Sequence, residues 1–176
     1  MYKRRNILSL VLLYSKKIMP SLSPGTSGAK EAYGVSIVRD DLSITIPPKA
    51  LNRYGLSDND MVLLSSTRIG EPGLAIMNKE KAYQSVFKEI IDRIDSLNAV
   101  FMQGKRVFSI TCITDRKVFL TPELLNAFHL KKGDRLVVVK STTVTMSYSP
   151  VEIWKRKFEL HGFFEAIENM KKLEEF

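Results

Sequence analysis

The sequence predicts an α+β fold in which one structural unit is used twice. Three observations carry this expectation. The chain has 176 residues, 44% hydrophobic and 26% charged, an ordinary globular composition long enough to bury a core without staples. Residues 44–68 recur as residues 118–142 at a constant offset of 74, with no gap. Each copy shows the same order of β-prone runs, a Pro-led short helix and a longer amphipathic stretch. This composition excludes wholesale disorder. A single cysteine, Cys112, excludes a disulfide framework and a Cys-based zinc site.

The chain opens on a basic stretch. Residues 1–19 hold Lys3, Arg4, Arg5, Lys16 and Lys17 and no acid, so most of the formal +8 lies there. The apolar run at 7–14 is too short to cross a bilayer, which takes about 20 residues. Three readings of the stretch stay open: a disordered tail or extension ahead of a start at Met19, a surface amphipathic segment, or a signal peptide. Against the last, Lys16 and Lys17 follow the apolar run directly, and no small-x-small cleavage site lies near Pro20. Residues 20–30 are rich in Pro, Gly and Ser and read as a linker. Residues 1–30 are therefore expected to be a flexible basic tail, with the folded part beginning near Glu31.

The first copy, with its helix, occupies residues 31–100, and the second, with a C-terminal helix, residues 101–176. Within them Pro48 meets Pro122, Leu51 meets Leu125, Asn52 meets Asn126, Leu56 meets Leu130 and Asp60 meets Asp134. Residues 35–38 and 44–46 are β-prone runs around a polar turn, as are 107–113 and 118–120. Pro48 and Pro122 suit a first helical turn, where no N–H donor is needed, and Thr121 suits an N-cap. Leu51 with Tyr54, and Leu125 with Phe128, give each short helix one apolar face. Gly55 or His129 ends it. Asn59-Asp60 and Gly133-Asp134 read as turns, with the Asp capping its own backbone. Residues 61–64 and 136–139 are the following buried strands.

A longer helix closes each copy. Asn78 can cap a helix over about 79–99, with Tyr83, Phe87, Ile90, Ile94 and Leu97 at helical spacing. In the second copy Ser149-Pro150-Val151-Glu152 reads as a capping box. It leads a stripe of Ile153, Trp154, Phe158, Phe164, Ile167 and Met170. The aromatics Trp154, Phe158, Phe163 and Phe164 could form a partner surface, but are expected to pack this helix on the expected barrel of strands or on a neighbouring subunit. Cys112 lies in a β-prone run and is expected to be buried and inert.

The segments ITIPPKALNRYGLSDNDMVLL and VFLTPELLNAFHLKKGDRLVVV resemble the AbrB/SpoVT/MazE superfamily of swapped-hairpin DNA-binding modules. The tandem arrangement, with YSPVEIWKRKF leading the second helix, resembles the MraZ family of transcriptional regulators. The resemblance covers roughly residues 33–170. It implies two swapped-hairpin repeats forming one pseudo-two-fold β-barrel, each followed by an amphipathic helix. It implies a cytoplasmic regulator that binds double-stranded DNA and forms homo-oligomers. The chain departs from MraZ at one signature, an Asp-x-x-x-Arg whose arginine directly precedes the second strand. Ser43 and Lys117 stand at the arginine position, and Arg39 and Ile113 at the acid.

Candidate DNA contacts are the basic residues on the hairpins and short helices. In the first copy these are Arg39, Lys49 and Arg53; in the second, Arg116, Lys117, Lys131 and Lys132. Arginine can read guanine bidentately, whereas lysine mainly neutralises phosphate. Residues 108–143 carry a net charge of +3 and residues 20–75 a net of −1, so the second copy should dominate electrostatic binding. No Ser/His/Asp set, phosphate-cradling glycine loop or metal-ligand spacing appears. A binding protein is expected, with no cofactor, metal, enzymatic activity or membrane attachment. Two other readings stay open: an antitoxin binding a toxin and its operator, and a protein-interaction module that does not bind DNA.

Overall fold

The computed structural model describes residues 18–20 and 29–176. The first copy runs through β2 (Ala29–Ile37), β3 (Ser43–Thr45), α1 (Pro48–Tyr54), β4 (Met61–Ser66), β5 (Leu74–Asn78), α2 (Lys79–Tyr83) and α3 (Lys88–Ile91). The second runs through β6 (Phe101–Gln103), β7 (Arg106–Cys112), β8 (Lys117–Phe119), α4 (Pro122–Ala127), β9 (Arg135–Lys140), β10 (Thr145–Pro150), α5 (Val151–His161) and α6 (Phe164–Met170). Ahead of both, β1 (Ile18–Pro20) pairs with the start of β2. The strand lies inside the stretch expected to be a flexible tail, and β2 begins two residues before the expected start. Residues 1–17 and 21–28, which carry the rest of that expectation, lie outside the described residues.

Strand pairing is reciprocal between the copies. The first long strand of each pairs antiparallel with the third strand of the other: β2 with β9, and β7 with β4. The second strands pair with each other as β3·β8, and the fourth as β5·β10. Ile44 and Val118, equivalent under the 74-residue offset, stand directly opposite one another in β3·β8. Neither half could hydrogen-bond its strands this way without the other.

The closed barrel does not form. The sheet is open and eight-stranded in the order β1-β2-β9-β10-β5-β4-β7-β6, with β3·β8 as a separate ribbon. The strands β1 and β6 take the outer edges of β2 and β7, the edges that would have to meet to close a barrel. Further along β2, Glu174 O accepts from Val35 N and Phe176 N donates to Val35 O, both at 2.8 Å, so the C-terminus covers that edge too.

Three apolar clusters account for the layers. The inner face of the sheet, the ribbon and both short helices share the largest, with Ile44, Ile46, Val118, Leu124, Phe128, Leu136 and Tyr148 almost wholly buried. On the outer face, α5 and α6 cover β2 and β9 through Trp154, Phe158 and Ile167. On the other half α2 and α3 cover β4 and β7 through Ala82, Ile90 and Ile91. Strands such as β7 are thus buried on both faces, which explains their near-continuous apolar runs.

The short helices form as the sequence predicts. Each has Pro at its start, and the Thr121 hydroxyl accepts from Leu124 N at 3.2 Å. Both end in the same 6→1 bond, Leu56 N to Leu51 O and Leu130 N to Leu125 O. That closure needs a left-handed residue, supplied by Gly55 at φ 61° and, less comfortably, by His129 at φ 55°. The Tyr54 hydroxyl donates to Thr145 O at 3.0 Å, tying α1 to the β9–β10 turn.

The long helices are corrected. Asn78 does cap, accepting from Glu80 N and Lys81 N, but the run expected over 79–99 is two short helices, α2 and α3. Ser85 breaks it: its hydroxyl donates to Ala82 O at 2.6 Å and accepts from Phe87 N, a local competitor to the helical ladder. In the second copy the stripe is divided at Gly162, which is left-handed and ends α5. The expected capping box is absent too, because Ser149 and Pro150 belong to β10, opposite Val137 and Leu136. Trp154 and Phe158 pack on the sheet as expected, whereas Phe164 is 65% exposed. Cys112 is half-buried at the end of β7, more open than expected.

Candidate nucleic-acid interface

Four turns meet in two equivalent pairs. The β2–β3 turn bonds to the turn before β9: Val38 N donates to Asp134 O at 2.9 Å, and Gly133 N to Val38 O at 2.8 Å. The β7–β8 turn bonds to the turn before β4: Ile113 N donates to Asp60 O at 2.9 Å, and Asn59 N to Ile113 O at 2.8 Å. The ribbon links the pairs, with Lys117 opposite Thr45, Ile46 N donating to Arg116 O and Leu120 N to Leu42 O.

This arrangement sorts the candidate cations. Arg39, Lys131 and Lys132 come together at the first turn pair, all exposed. Exposed Arg116 and half-buried Lys117 sit at the second. Lys49 and Arg53 are exposed on α1, Arg53 in its last turn. Among the described residues no hydrogen bond ties either of them to the paired turns.

The β7–β8 connection is a two-residue hairpin. Thr114 and Lys117 exchange both backbone bonds at 2.9 Å, and Asp115 and Arg116 between them have φ 50° and 57°. Two positive φ values mark the type I′ geometry, which favours Asn and Gly. An arginine in the left-handed region costs about 1 kcal/mol. Strain of this kind collects at working positions.

Carboxylates accompany the cations at both turn pairs. Asp60 Oδ2 accepts from Ser57 N at 2.8 Å and Asp134 Oδ2 from Lys131 N at 2.9 Å, the turn-forming role the sequence predicts. Asp58 Oδ1 accepts from Arg116 N at 2.9 Å. Asp41 Oδ1 accepts from the Ser43 hydroxyl at 2.6 Å and from its N–H at 3.0 Å. These bonds hold the Asp41 carboxyl below the usual carboxylate range, and nearby Lys117 adds to the effect. Asp40, Asp41 and Asp134 thus flank the first group, and Asp58, Asp60 and Asp115 the second. Sequence reasoning missed Asp58, because its partner Arg116 is 58 residues away.

Ser43 fills the position where the resembled family has its arginine. It is fully buried and held by Asp41, so the first copy presents no side chain to solvent there. Lys117, its counterpart, is partly exposed. No helix among the described residues is long and apolar enough to cross a membrane. No protein-family model matches the chain, and no curated protein matches it in sequence.

Proposed function

We propose that this chain is a DNA-binding transcriptional regulator of the AbrB/MraZ kind, in which one chain supplies both swapped-hairpin halves. The observation that carries the reading is the reciprocal pairing of β2 with β9 and β4 with β7. It gives a single chain two equivalent basic turn pairs joined across one ribbon. Arg116, Lys117, Lys131 and Lys132 would neutralise phosphate, with Arg39 beside them and Lys49 and Arg53 as flanking contacts. The strained Arg116 at a hairpin tip supports a groove-reaching role. The activity is binding, not catalysis, in the cytoplasm, with homo-oligomers engaging repeated sites.

A second reading has its own support. The carboxylates at both turn pairs weaken the positive field, which favours a protein-interaction surface over a nucleic-acid one. One variant separates the two. Arg116→Gly relieves the positive φ and should raise thermal stability, while weakening duplex binding several-fold and lowering the salt slope by about 1. Arg53→Ala should weaken binding less than the Arg116→Ala/Lys117→Ala pair. Unchanged affinity in Arg116→Gly, or the opposite ranking, would remove this hairpin from the reading.

A further inference from the structure

The outer face of the sheet carries a groove of about 500 Å³ that none of the turn-borne cations lines. It lies between the two helical covers. Ala75, Met77, Val139 and Ser147 line it from the sheet, Ile153, Trp154 and Lys157 from α5, and Val86 from the other half. A volume of this size suits a small molecule.

Charge is gathered there. Arg68, Arg106, Lys30 and Lys157 line the groove, and Glu71 is the one carboxylate among its described lining residues. Glu71 accepts from Lys157 Nζ at 2.9 Å, with the two side chains 29% and 23% exposed. Burial, with Arg68 and Lys157 close by, holds the Lys30 ammonium below the usual lysine range. Like charges converging at a half-buried surface raise the free energy of an empty groove, and a bound anion offsets that cost. The hydroxyls of Ser65, Ser147 and Ser149 add donors, while Met77, Val139 and Ile153 add apolar surface. In the same wall Trp154 is 8% exposed, and its indole N–H has no acceptor among the described residues.

We propose that this groove binds a nucleotide-sized phosphorylated small molecule, its phosphate held by Arg68 and Lys157 and its apolar part against Met77, Val139 and Ile153. The site lies on the opposite face of the sheet from the ribbon and its turns. It stands whether or not the chain binds DNA.

Trp154 is the only tryptophan of the chain, so its fluorescence reports on the groove. The full chain would be titrated with adenosine diphosphate and with inorganic pyrophosphate, against sodium chloride at matched ionic strength. A saturable change is expected with the nucleotide, and a weaker one with pyrophosphate, which lacks the apolar part. Arg68→Ala should weaken the response by about tenfold or more with the far-UV dichroism unchanged. Glu71→Gln removes the competing carboxylate and should tighten binding. The proposal is overturned by no saturable response at millimolar nucleotide, by a response unaltered in Arg68→Ala, or by a response that chloride reproduces. It is equally overturned if a duplex oligonucleotide competes for the groove.

Discussion

Replacing Gly34 by valine lowers stability by about 3 kcal/mol or more, read as a shift of the urea midpoint at constant slope. Gly34 lies in β2 at φ 145°, a backbone conformation that side-chain-bearing residues rarely adopt. A Cβ placed there would stand 2.7 Å from Phe176 Cε2 and 2.8 Å from the Glu174 carbonyl oxygen. The backbone carbonyl cannot swing aside, because it accepts from Val35 N in the bond that holds the C-terminus to β2. The substitution therefore forces a choice between a strained strand and a displaced terminus. Removing residues 174–176 separates the two costs. In the shortened chain Gly34→Val retains only the φ strain, and its effect should fall by half or more. A loss below about 1 kcal/mol in the full-length chain would show that the C-terminal contact does not constrain β2.

The second large effect lies at the centre of the ribbon. Ile44 and Val118 face each other there and are both fully buried. Ile44→Ala should cost about 2–4 kcal/mol and Val118→Ala somewhat less, from lost burial plus the cavity left behind. Because the two share neighbours, the double variant should cost less than the sum, with a coupling of at least about 0.5 kcal/mol. A domain with a total stability of about 5–15 kcal/mol leaves little margin for the pair. Strict additivity in a double-mutant cycle would mean that the copies do not meet at this point.

Much of the fold is legible in the sequence, because its determinants are local. Pro48 and Pro122 start helices through their own ring geometry. Thr121 and Asn78 cap through bonds to residues two or three positions on. Asp60 and Asp134 each close a turn on a residue three positions back. The repeat itself is a property of the string, and the structure answers it with reciprocal pairing. What fails is non-local. The stripe from Tyr83 to Leu97 has helical spacing, yet Leu97 is 54% exposed and Ser85 diverts the backbone. Ser149 and Pro150 have the composition of a capping box, but pairing with β9 takes them first. The open sheet depends on β1, β6 and the C-terminus occupying edges, which no window of sequence reports. The candidate site divides the same way. Basic turns can be found by counting charges, whereas the Asp58–Arg116 contact and the groove require residues far apart in the chain.

In the proposed function the paired basic turns bind duplex DNA. A titration with duplex DNA, including the chain's own upstream region, at about 50 mM and 200 mM salt tests it most directly. Carried out on the full chain and on one beginning at Met19, it separates the turns from the basic residues that precede them. If both turn pairs engage phosphate, the chain beginning at Met19 still binds, prefers the upstream region and loses affinity by about a hundredfold across that salt range. No binding by that chain at the lower salt, or binding only when the first residues are present, would contradict the account.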